Sequence, residues 1–342
     1  MELSALSSRE LAELMKEIGQ PAFRAKQIFE WIHKKSASSL EDMTNVPKKL
    51  KEALVEKGYT FTVPKIVQVQ ESKIDGTKKY LFELVDHQVV ESVLMKYKHG
   101  NSVCISSQVG CKMGCRFCAS TLDGWLRNLG HHEMLEQVYQ IQKESGERVS
   151  NVVVMGTGEP LDNYDNLLLF VRGLSSEEGM NISQRNITVS TCGLVPKIYQ
   201  LAEEQLQITL ALSLHASSQE EREKLMPIAK KYEIHEVLDA CRHYFGKTGR
   251  RISFEYSLVA GVNDSVEDAN RLKDLIGDMN CHVNLIPVNP IKERDYKQPN
   301  RENILDFQNK LENYGINVTI RREMGRDIDG ACGQLRKKYM ER

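Results

Sequence analysis

Apolar residues recur at helical spacing through the first sixty residues of the chain. Ser7 and Glu10 form a capping box that begins the first predicted helix, a second helix follows Pro21, and a third starts near Pro47. Each helix carries an apolar stripe that has to pack against a partner. The pattern therefore predicts a small helical domain over residues 1–60.

Between residues 65 and 97 the apolar pattern shortens to a period of two, which is typical of strands. The runs richest in β-branched and aromatic residues cover residues 66–69, 80–85 and 89–95. Asp75 and Gly76 mark a turn between the first two runs. We expect a β-hairpin or small sheet over residues 61–100 that connects two domains.

From residue 101 to residue 342, strand patterns alternate with helix patterns. The predicted strands cover residues 103–106, 152–155, 187–190, 208–214, 252–258, 283–286 and 318–321. The predicted helices cover residues 133–144, 164–173, 195–204, 235–245, 266–277 and 301–314. Strands joined by connections this long pair in parallel. We therefore expect an α/β domain, either an open sheet or a full or partial (β/α) barrel.

Glycine-rich and polar segments follow five of these predicted strands. They are residues 156–160, 190–193, 213–215, 261–264 and 287–290. The carboxyl ends of parallel strands share one face of the fold, where ligands bind. Five segments that are distant in sequence are therefore expected to converge on one pocket.

Composition and charge exclude several classes of protein. The 342 residues are 41% hydrophobic and 27% charged, values of an ordinary globular chain rather than a disordered one. The first residues lack a secretory signal, and no apolar run approaches the roughly 20 residues that span a membrane. A formal net charge of -1 means that a nucleic-acid partner would need a local basic patch. We expect a cytoplasmic protein without membrane contact.

The placement of the cysteines carries more information than their number. Eight cysteines are too few for a disulfide scaffold and favour a reducing compartment. Cys111, Cys115 and Cys118 lie in one glycine-containing loop, and soft thiolate ligands select zinc or an iron–sulfur cluster. Structural zinc takes four ligands, whereas three cysteines on a four-iron cluster leave one iron open. Three ordinary thiols remain the alternative.

The Cys111-x3-Cys115-x2-Cys118 spacing is the signature of the radical S-adenosylmethionine (SAM) enzymes. Further segments carry a closer likeness, at residues 104–111, 127–129, 155–161, 213–216 and 327–335. Together they resemble the RlmN family of dual-specificity RNA methyltransferases, over essentially the whole chain. The resemblance implies a radical SAM partial (β/α)6 TIM-like barrel with a small N-terminal helical accessory domain that contacts RNA.

The resemblance also implies a reaction. The family methylates carbon 2 of an adenine in the peptidyl-transferase region of 23S rRNA, and of an adenine beside the anticodon in tRNAs. That carbon lies between two ring nitrogens and is electron-poor, so a radical route is chemically reasonable. The implied cofactors are one 4Fe-4S cluster and two SAM molecules per turnover. An electron donor such as a flavodoxin system is implied as a partner, and the chain is expected to be a monomer.

By the same resemblance, Cys111, Cys115 and Cys118 hold the cluster, and seven further residues form the SAM site. These are Gly158, Glu159, Ser190, Ser213, Leu214, His215 and Asn289. Glu159 would meet the ammonium group of SAM. Taken singly, each serine could be a turn or cap residue, His215 a structural histidine and Asn289 a turn residue.

Three residues receive catalytic roles from the resemblance. Cys332, in a glycine-flanked loop, becomes the S-methylcysteine intermediate, and its methyl carbon is then joined to the adenine. Cys104 resolves the protein–RNA adduct through a transient disulfide with Cys332, although it could instead be a fourth cluster ligand or a buried thiol. Glu91 accepts the carbon-2 proton, whereas most charged residues in a β-hairpin face water.

Two other functions stay open at this point. A Cfr-type methyltransferase acts on carbon 8 of the same ribosomal adenine, and a non-catalytic RNA-binding protein could carry a structural metal. The basic residues that could contact RNA are Lys34, Lys35, Lys48, Lys49, Lys51, Lys96, Lys98, Arg321, Arg322, Arg326, Arg336, Lys337 and Lys338.

Overall fold

One mixed sheet organises the molecule in the computed structural model, which describes residues 1–289, 295–330 and 333–340. Ten of the described strands form this sheet, in the order β1-β2-β3-β4-β7-β8-β9-β10-β11-β12, while β5 and β6 pair with each other. The strands are β1 (Lys65–Glu71), β2 (Lys78–Glu83), β3 (Val89–Tyr97), β4 (Gly100–Cys104), β5 (Gln108–Gly110), β6 (Trp125–Asn128), β7 (Val149–Val154), β8 (Ile187–Thr191), β9 (Thr209–Ser213), β10 (Ile252–Leu258), β11 (Cys281–Pro287) and β12 (Asn317–Ile320). The α-helices are α1 (Ser8–Glu17), α2 (Phe23–His33), α3 (Lys48–Glu56), α4 (His131–Ser145), α5 (Tyr164–Ser175), α6 (Val195–Glu203), α7 (Gln219–Leu225), α8 (Ile234–Thr248), α9 (Val266–Ile276), α10 (Arg301–Asn313) and α11 (Gln334–Met340).

The parallel part of the sheet runs from β4 through β7 to β12. At least one α-helix lies between each of its strands and the next, and the strand and helix side chains share one continuous apolar core. Every strand and helix expected beyond residue 101 is present. Among the described strands β1 and β12 end the sheet and do not pair with each other, so the barrel is partial, as predicted.

The segment expected to connect two domains belongs to the barrel sheet. Strands β1, β2 and β3 form an antiparallel meander, and β3 pairs with β4, with Val93 opposite Cys104. An unpaired β4 would leave its backbone N–H and C=O groups exposed at the edge of the parallel sheet. The meander satisfies these groups and brings its side chains to the same sheet as the predicted active-site strands.

The first helices have an apolar core of their own, which includes Leu11, Ile28 and Leu50. The capping box forms as predicted at the start of α1. This unit contacts the barrel through a buried hydrogen bond of 2.9 Å between His33 Nδ1 and the Tyr139 hydroxyl. No helix among the described residues is long and apolar enough to cross a membrane.

A small hairpin that the sequence did not predict holds the cysteine loop. Strands β5 and β6 pair in antiparallel fashion, with Gln108 opposite Asn128, and the loop is the connection between them. Gly110 has a φ of 76°, and a Cβ there would lie 2.0 Å from the Gly124 carbonyl oxygen. A glycine is therefore required at the point where the loop begins.

The buried histidine between the helical unit and the barrel predicts a pH-dependent stability. Burial lowers the pKa of His33 from 6.5 to about 3, so the unfolded chain takes up a proton at a higher pH than the folded one. The free energy of unfolding should fall on acidification below pH 6.5, by about 1.4 kcal/mol per pH unit for each such histidine. In urea unfolding between pH 6.5 and 5, His33→Gln should show a slope shallower by that amount. The exposed His235 supplies the control His235→Gln, and equal slopes in His33→Gln and the unmodified protein would contradict the prediction.

Candidate active site

The cysteine loop is folded back on itself by its own backbone. The Cys111 N–H donates to the Gly124 carbonyl at 2.8 Å. The Thr121 hydroxyl donates to the carbonyls of Cys115 and Cys118, at 3.1 and 2.9 Å. These contacts gather the three predicted cluster ligands on one turn of chain.

The donor set of this loop fits an iron–sulfur cluster. Burial raises the pKa of the Cys115 thiol, and the neighbouring Cys118 and Cys111 raise it further, because the three sulfur atoms lie close enough to interact. A metal centre is needed to stabilise thiolates in this setting. No group of three His, Cys, Asp or Glu side chains in the described ranges converges tightly enough to hold a single metal ion. Three thiolates on one loop suit a four-iron cluster, in which each cysteine would bind a different iron.

The cysteine loop packs against the ends of the barrel strands. Cys111 and Met113 share an apolar cluster with Cys192 and Leu225. The ring of Phe117 meets the ring of His215, which follows β9, edge to face, with centroids 4.7 Å apart. The predicted cluster ligands and the predicted SAM residues therefore lie side by side.

The segment that follows β7 contains Gly158 and Glu159. Gly158 has a φ of 113°, and a Cβ there would lie 2.7 Å from the Ser107 hydroxyl, so only glycine fits this turn. The buried carboxylate of Glu159 accepts hydrogen bonds from the N–H groups of Leu161, at 3.0 Å, and Cys192, at 2.8 Å. Burial raises the pKa of Glu159. The side chains of Thr191 and Cys192 also hydrogen-bond to this carboxylate, and the contact with the SAM ammonium stays a prediction.

The ends of β8 and β9 meet at two serines. The Ser190 and Ser213 hydroxyls lie 3.4 Å apart. The N–H groups of Leu214 and His215 donate to the Glu255 carbonyl at 3.1 and 3.2 Å, which turns the chain sharply after β9. These contacts place three of the predicted SAM residues within one short turn.

His215 is a neutral, partly structural histidine. Its Nδ1 accepts the Ser257 N–H at 3.0 Å, and the Asn263 side chain donates to its carbonyl at 2.7 Å. Burial, reinforced by Arg222, lowers its pKa to about 3. The imidazole therefore carries its proton on Nε2, which is the group that could meet a ligand. Nδ1 thus has the structural role that the sequence analysis gave as the alternative for His215, because it accepts a backbone N–H.

A cavity of about 420 Å³ is lined by residues from both the antiparallel and the parallel part of the sheet. Its lining includes Glu91 from β3, Cys104 from β4, Gly156 after β7, Asn289 after β11 and Gly330. The first two of these residues were predicted to act in the same reaction. Cys332, the third, lies outside the described residues, although Gly330 and Gly333 flank it closely in sequence.

Glu91 does not face water, unlike most charged residues in hairpins. Its side chain is 4% exposed and lies 3.0 Å from the Lys79 ammonium group. It also accepts hydrogen bonds from the N–H groups of Gly333, at 2.7 Å, and Arg336. The carboxylate is thus bound to the start of α11, next to the segment that contains Cys332.

Two buried cations near these residues were missed by the sequence analysis. Arg222 is fully buried, and its guanidinium donates to the Cys192 carbonyl at 2.7 Å. Lys79 is also fully buried. Helix α7, which carries Arg222, is rich in Glu and Lys and resembles a surface helix. No signal in the sequence distinguishes either cation from a solvated one.

The basic residues proposed to contact RNA differ in their exposure and in their partners. Arg321 and Arg322 are exposed and line the cavity. Arg336 is buried and bonded to Asp123, and Lys338 is paired with Asp329. Arg321 and Arg322 are therefore better placed to meet an RNA substrate than the cations on α11.

Comparison with known proteins agrees with this geometry. The family model of the radical SAM superfamily matches residues 105–275, and that of the ribosomal RNA large subunit methyltransferase N-terminal domain matches residues 1–59. The chain is 63% identical to a probable dual-specificity RNA methyltransferase RlmN of Lachnospira eligens, over 99% of this chain and 97% of that protein. It is 61% identical to the protein of the same name from Lachnoclostridium phytofermentans, over 100% of this chain and 96% of that one.

A solved structure extends the agreement to the whole fold. The crystal structure of a radical SAM methyltransferase from Sphaerobacter thermophilus superposes with a TM-score of 0.93 at 44% identity, covering 98% of each chain. The enzyme interpretation is therefore confirmed, as is the use of SAM and a 4Fe-4S cluster in general. The chain belongs to the RlmN family of radical SAM RNA methyltransferases.

Proposed function

We propose that this protein methylates carbon 2 of an adenine in the peptidyl-transferase region of 23S rRNA, and of an adenine beside the anticodon in tRNAs. The observation that carries the proposal is the lining of the cavity, which includes Glu91, Cys104, Asn289 and Gly330. A proton acceptor, a resolving thiol, a SAM contact and the flank of Cys332 would then share one space. Its volume of about 420 Å³ is sufficient for a base.

The cofactors would be held along the strand ends. Cys111, Cys115 and Cys118 would bind the cluster, and SAM would lie against Gly158, Glu159, Ser190, Ser213, Leu214, His215 and Asn289. Together the bound cluster and SAM supply a 5′-deoxyadenosyl radical. Glycine at position 158 lets the backbone approach a ligand closely, and the buried polar groups nearby can orient it. Two SAM molecules would be used per turnover.

The protein's own residues would then act in order. The Cys332 thiolate accepts a methyl group from one SAM, and that methyl carbon, after losing a hydrogen atom, bonds to adenine carbon 2. Glu91 would accept the proton that leaves carbon 2, and the one electron that the adduct radical also loses would be taken up by the cluster. Cys104 would attack the Cys332 sulfur and form a disulfide, while the bond from that sulfur to the methylene carbon breaks. The carbon takes up a proton and becomes the methyl group of the released RNA. The disulfide has to be reduced before the next turnover, which suits a cytoplasmic enzyme.

RNA would reach the cavity with the target adenine extruded from its stack. Arg321 and Arg322, which line the cavity, would bind the flanking phosphates. We also propose three domains, with an RNA-contacting unit over residues 1–60, a connecting segment over residues 61–100 and a catalytic core over residues 101–342. A flavodoxin system would supply the electrons, and the enzyme would act as a monomer.

Methyl mapping tests the proposed product. The anaerobically reconstituted enzyme, incubated with SAM and a reductant, should form 5′-deoxyadenosine and place one methyl group on adenine carbon 2 in both RNA classes. Mass spectrometry and NMR of the isolated nucleoside identify the carbon. A methyl group on carbon 8 would instead assign the protein the Cfr-type reaction, and the absence of 5′-deoxyadenosine would refute the radical route.

Cysteine variants test the order of the thiol steps. Cys104→Ala should accumulate protein covalently joined to RNA, because the adduct forms but cannot be resolved, whereas Cys332→Ala should form no adduct. Denaturing gels with labelled RNA report both results. Cys281 is buried under α9 and supplies the control Cys281→Ala, which should turn over normally. Normal turnover of Cys104→Ala without trapped RNA would remove Cys104 from the mechanism.

The turn after β7 supplies a test of the SAM site. A methyl group at Gly158 would clash with Ser107 and Gln108, so Gly158→Ala should weaken SAM binding by at least about tenfold in equilibrium binding to the reconstituted enzyme. Gly146 has a φ of 67°, and a Cβ there would meet nothing within 4 Å, so Gly146→Ala controls for backbone strain alone. Equal SAM affinities for the two variants would argue against Gly158 as part of the site.

A further inference from the structure

The described residues on either side of Cys332 are joined to each other by side-chain contacts. Asp329 stands before Cys332 and Lys338 stands after it, and their side chains form an ion pair. The Asp329 N–H and carboxylate are both bound to the Gln70 side chain, at 3.0 and 3.1 Å. We use the name cysteine-332 loop for residues 329–338, of which 329–330 and 333–338 are described and 334–338 belong to α11, and we call the pair of Asp329 and Lys338 its neck. Its neck is anchored to strand β1.

The chain that leads into this loop is held by the turn between β1 and β2. The Asp327 carboxylate accepts hydrogen bonds from the Ser72 hydroxyl and from the Lys73 N–H, the latter at 2.8 Å. The Gly325 N–H donates to the Asp75 carboxylate at 3.0 Å. The antiparallel meander therefore binds residues 325–327, which lead into the loop, as well as the neck of the loop.

Lys79 connects the two flanks of the loop. Its buried ammonium group donates to the Asp329 carbonyl at 2.7 Å on the side before Cys332. It also lies 3.0 Å from the Glu91 carboxylate, which accepts the N–H groups of Gly333 and Arg336 on the side after Cys332. One cation thus joins both ends of the segment that carries the reactive thiol.

We propose that Lys79 is a positioning residue for Cys332, acting through Glu91 and Asp329 to fix both flanks of the cysteine-332 loop. The inference rests on the proposed function, in which Cys332 is the methyl carrier. Removing one partner of a buried ion pair leaves the other charge uncompensated, so the pair is expected to hold its geometry strongly. Loop placement within an ångström matters to a thiol that must meet two different reactants.

The same geometry leaves room for the proposed proton transfer. A carboxylate offers about four acceptor sites, and the Lys79 ammonium and two backbone N–H groups occupy three of them. Glu91 can therefore hold the loop and still present a lone pair to the cavity that it lines. The positioning role assigned to Lys79 adds to the proton-acceptor role of Glu91 and does not replace it.

Hydrogen exchange of the reconstituted enzyme tests the proposal. In Lys79→Met, the amides of Gly333 and Arg336 should exchange at least about tenfold faster. The variant removes both the counter-ion of the Glu91 carboxylate and the hydrogen bond to the Asp329 carbonyl. The double variant Lys79→Met with Glu91→Gln removes the unpaired charge and should recover part of the protection. In single-turnover reactions with SAM, Lys79→Met should form S-methylated Cys332 at least about tenfold more slowly, with SAM affinity unchanged.

Lys78 supplies a matched control in the same strand. Its ammonium group lies 3.2 Å from Glu144 and 3.9 Å from Glu71, away from the cysteine-332 loop. Lys78→Met should leave exchange in the loop within about twofold of the unmodified protein. Unchanged exchange in Lys79→Met, or faster exchange spread evenly over the whole chain, would overturn the proposal. Failure of the unmodified enzyme to methylate RNA would refute the proposed function and leave the exchange result standing.

Discussion

Parallel pairing of the strands from β4 to β12 is the constraint on which the rest of the structure depends. Each parallel pair needs a crossover, so every strand of this part ends on the same face and every connection returns on the outside. The segments after β7, β8, β9 and β10 meet there through direct contacts of Glu159 with Cys192, Ser190 with Ser213, and His215 with Asn263. The cysteine loop adds its thiols at the same face, since it follows β4 after only the short strand β5.

The antiparallel meander brings a second set of groups to this arrangement. Because β3 pairs with β4, Glu91 and Cys104 line one cavity although they come from strands of opposite direction. The meander also binds the C-terminal segment through Gln70, Ser72 and Lys79. The meander thus connects the barrel to the described residues that precede Cys332.

Buried charge is the feature that sequence patterns revealed least. Glu91, Lys79, Glu159 and Arg222 are all buried, and each is hydrogen-bonded to backbone groups or to another charge. Burial of an unpaired charge is costly, so such groups persist where neighbouring elements supply partners. Those partners come from segments far away in sequence, such as Cys192 for Arg222, and no local pattern of residues encodes them.

The sequence by itself determined the alternation of strands and helices, the strand-end segments, the three-cysteine loop and the family, because each depends on local periodicity or on a short motif. Tertiary structure alone decided that β1 to β3 extend the barrel sheet, that β5 and β6 frame the cysteine loop, and that Glu91 is buried against Lys79. Strand partners and the burial of single side chains follow from which surfaces meet after the chain has folded. That information is distributed over the whole chain, and it becomes visible when the sheet is assembled.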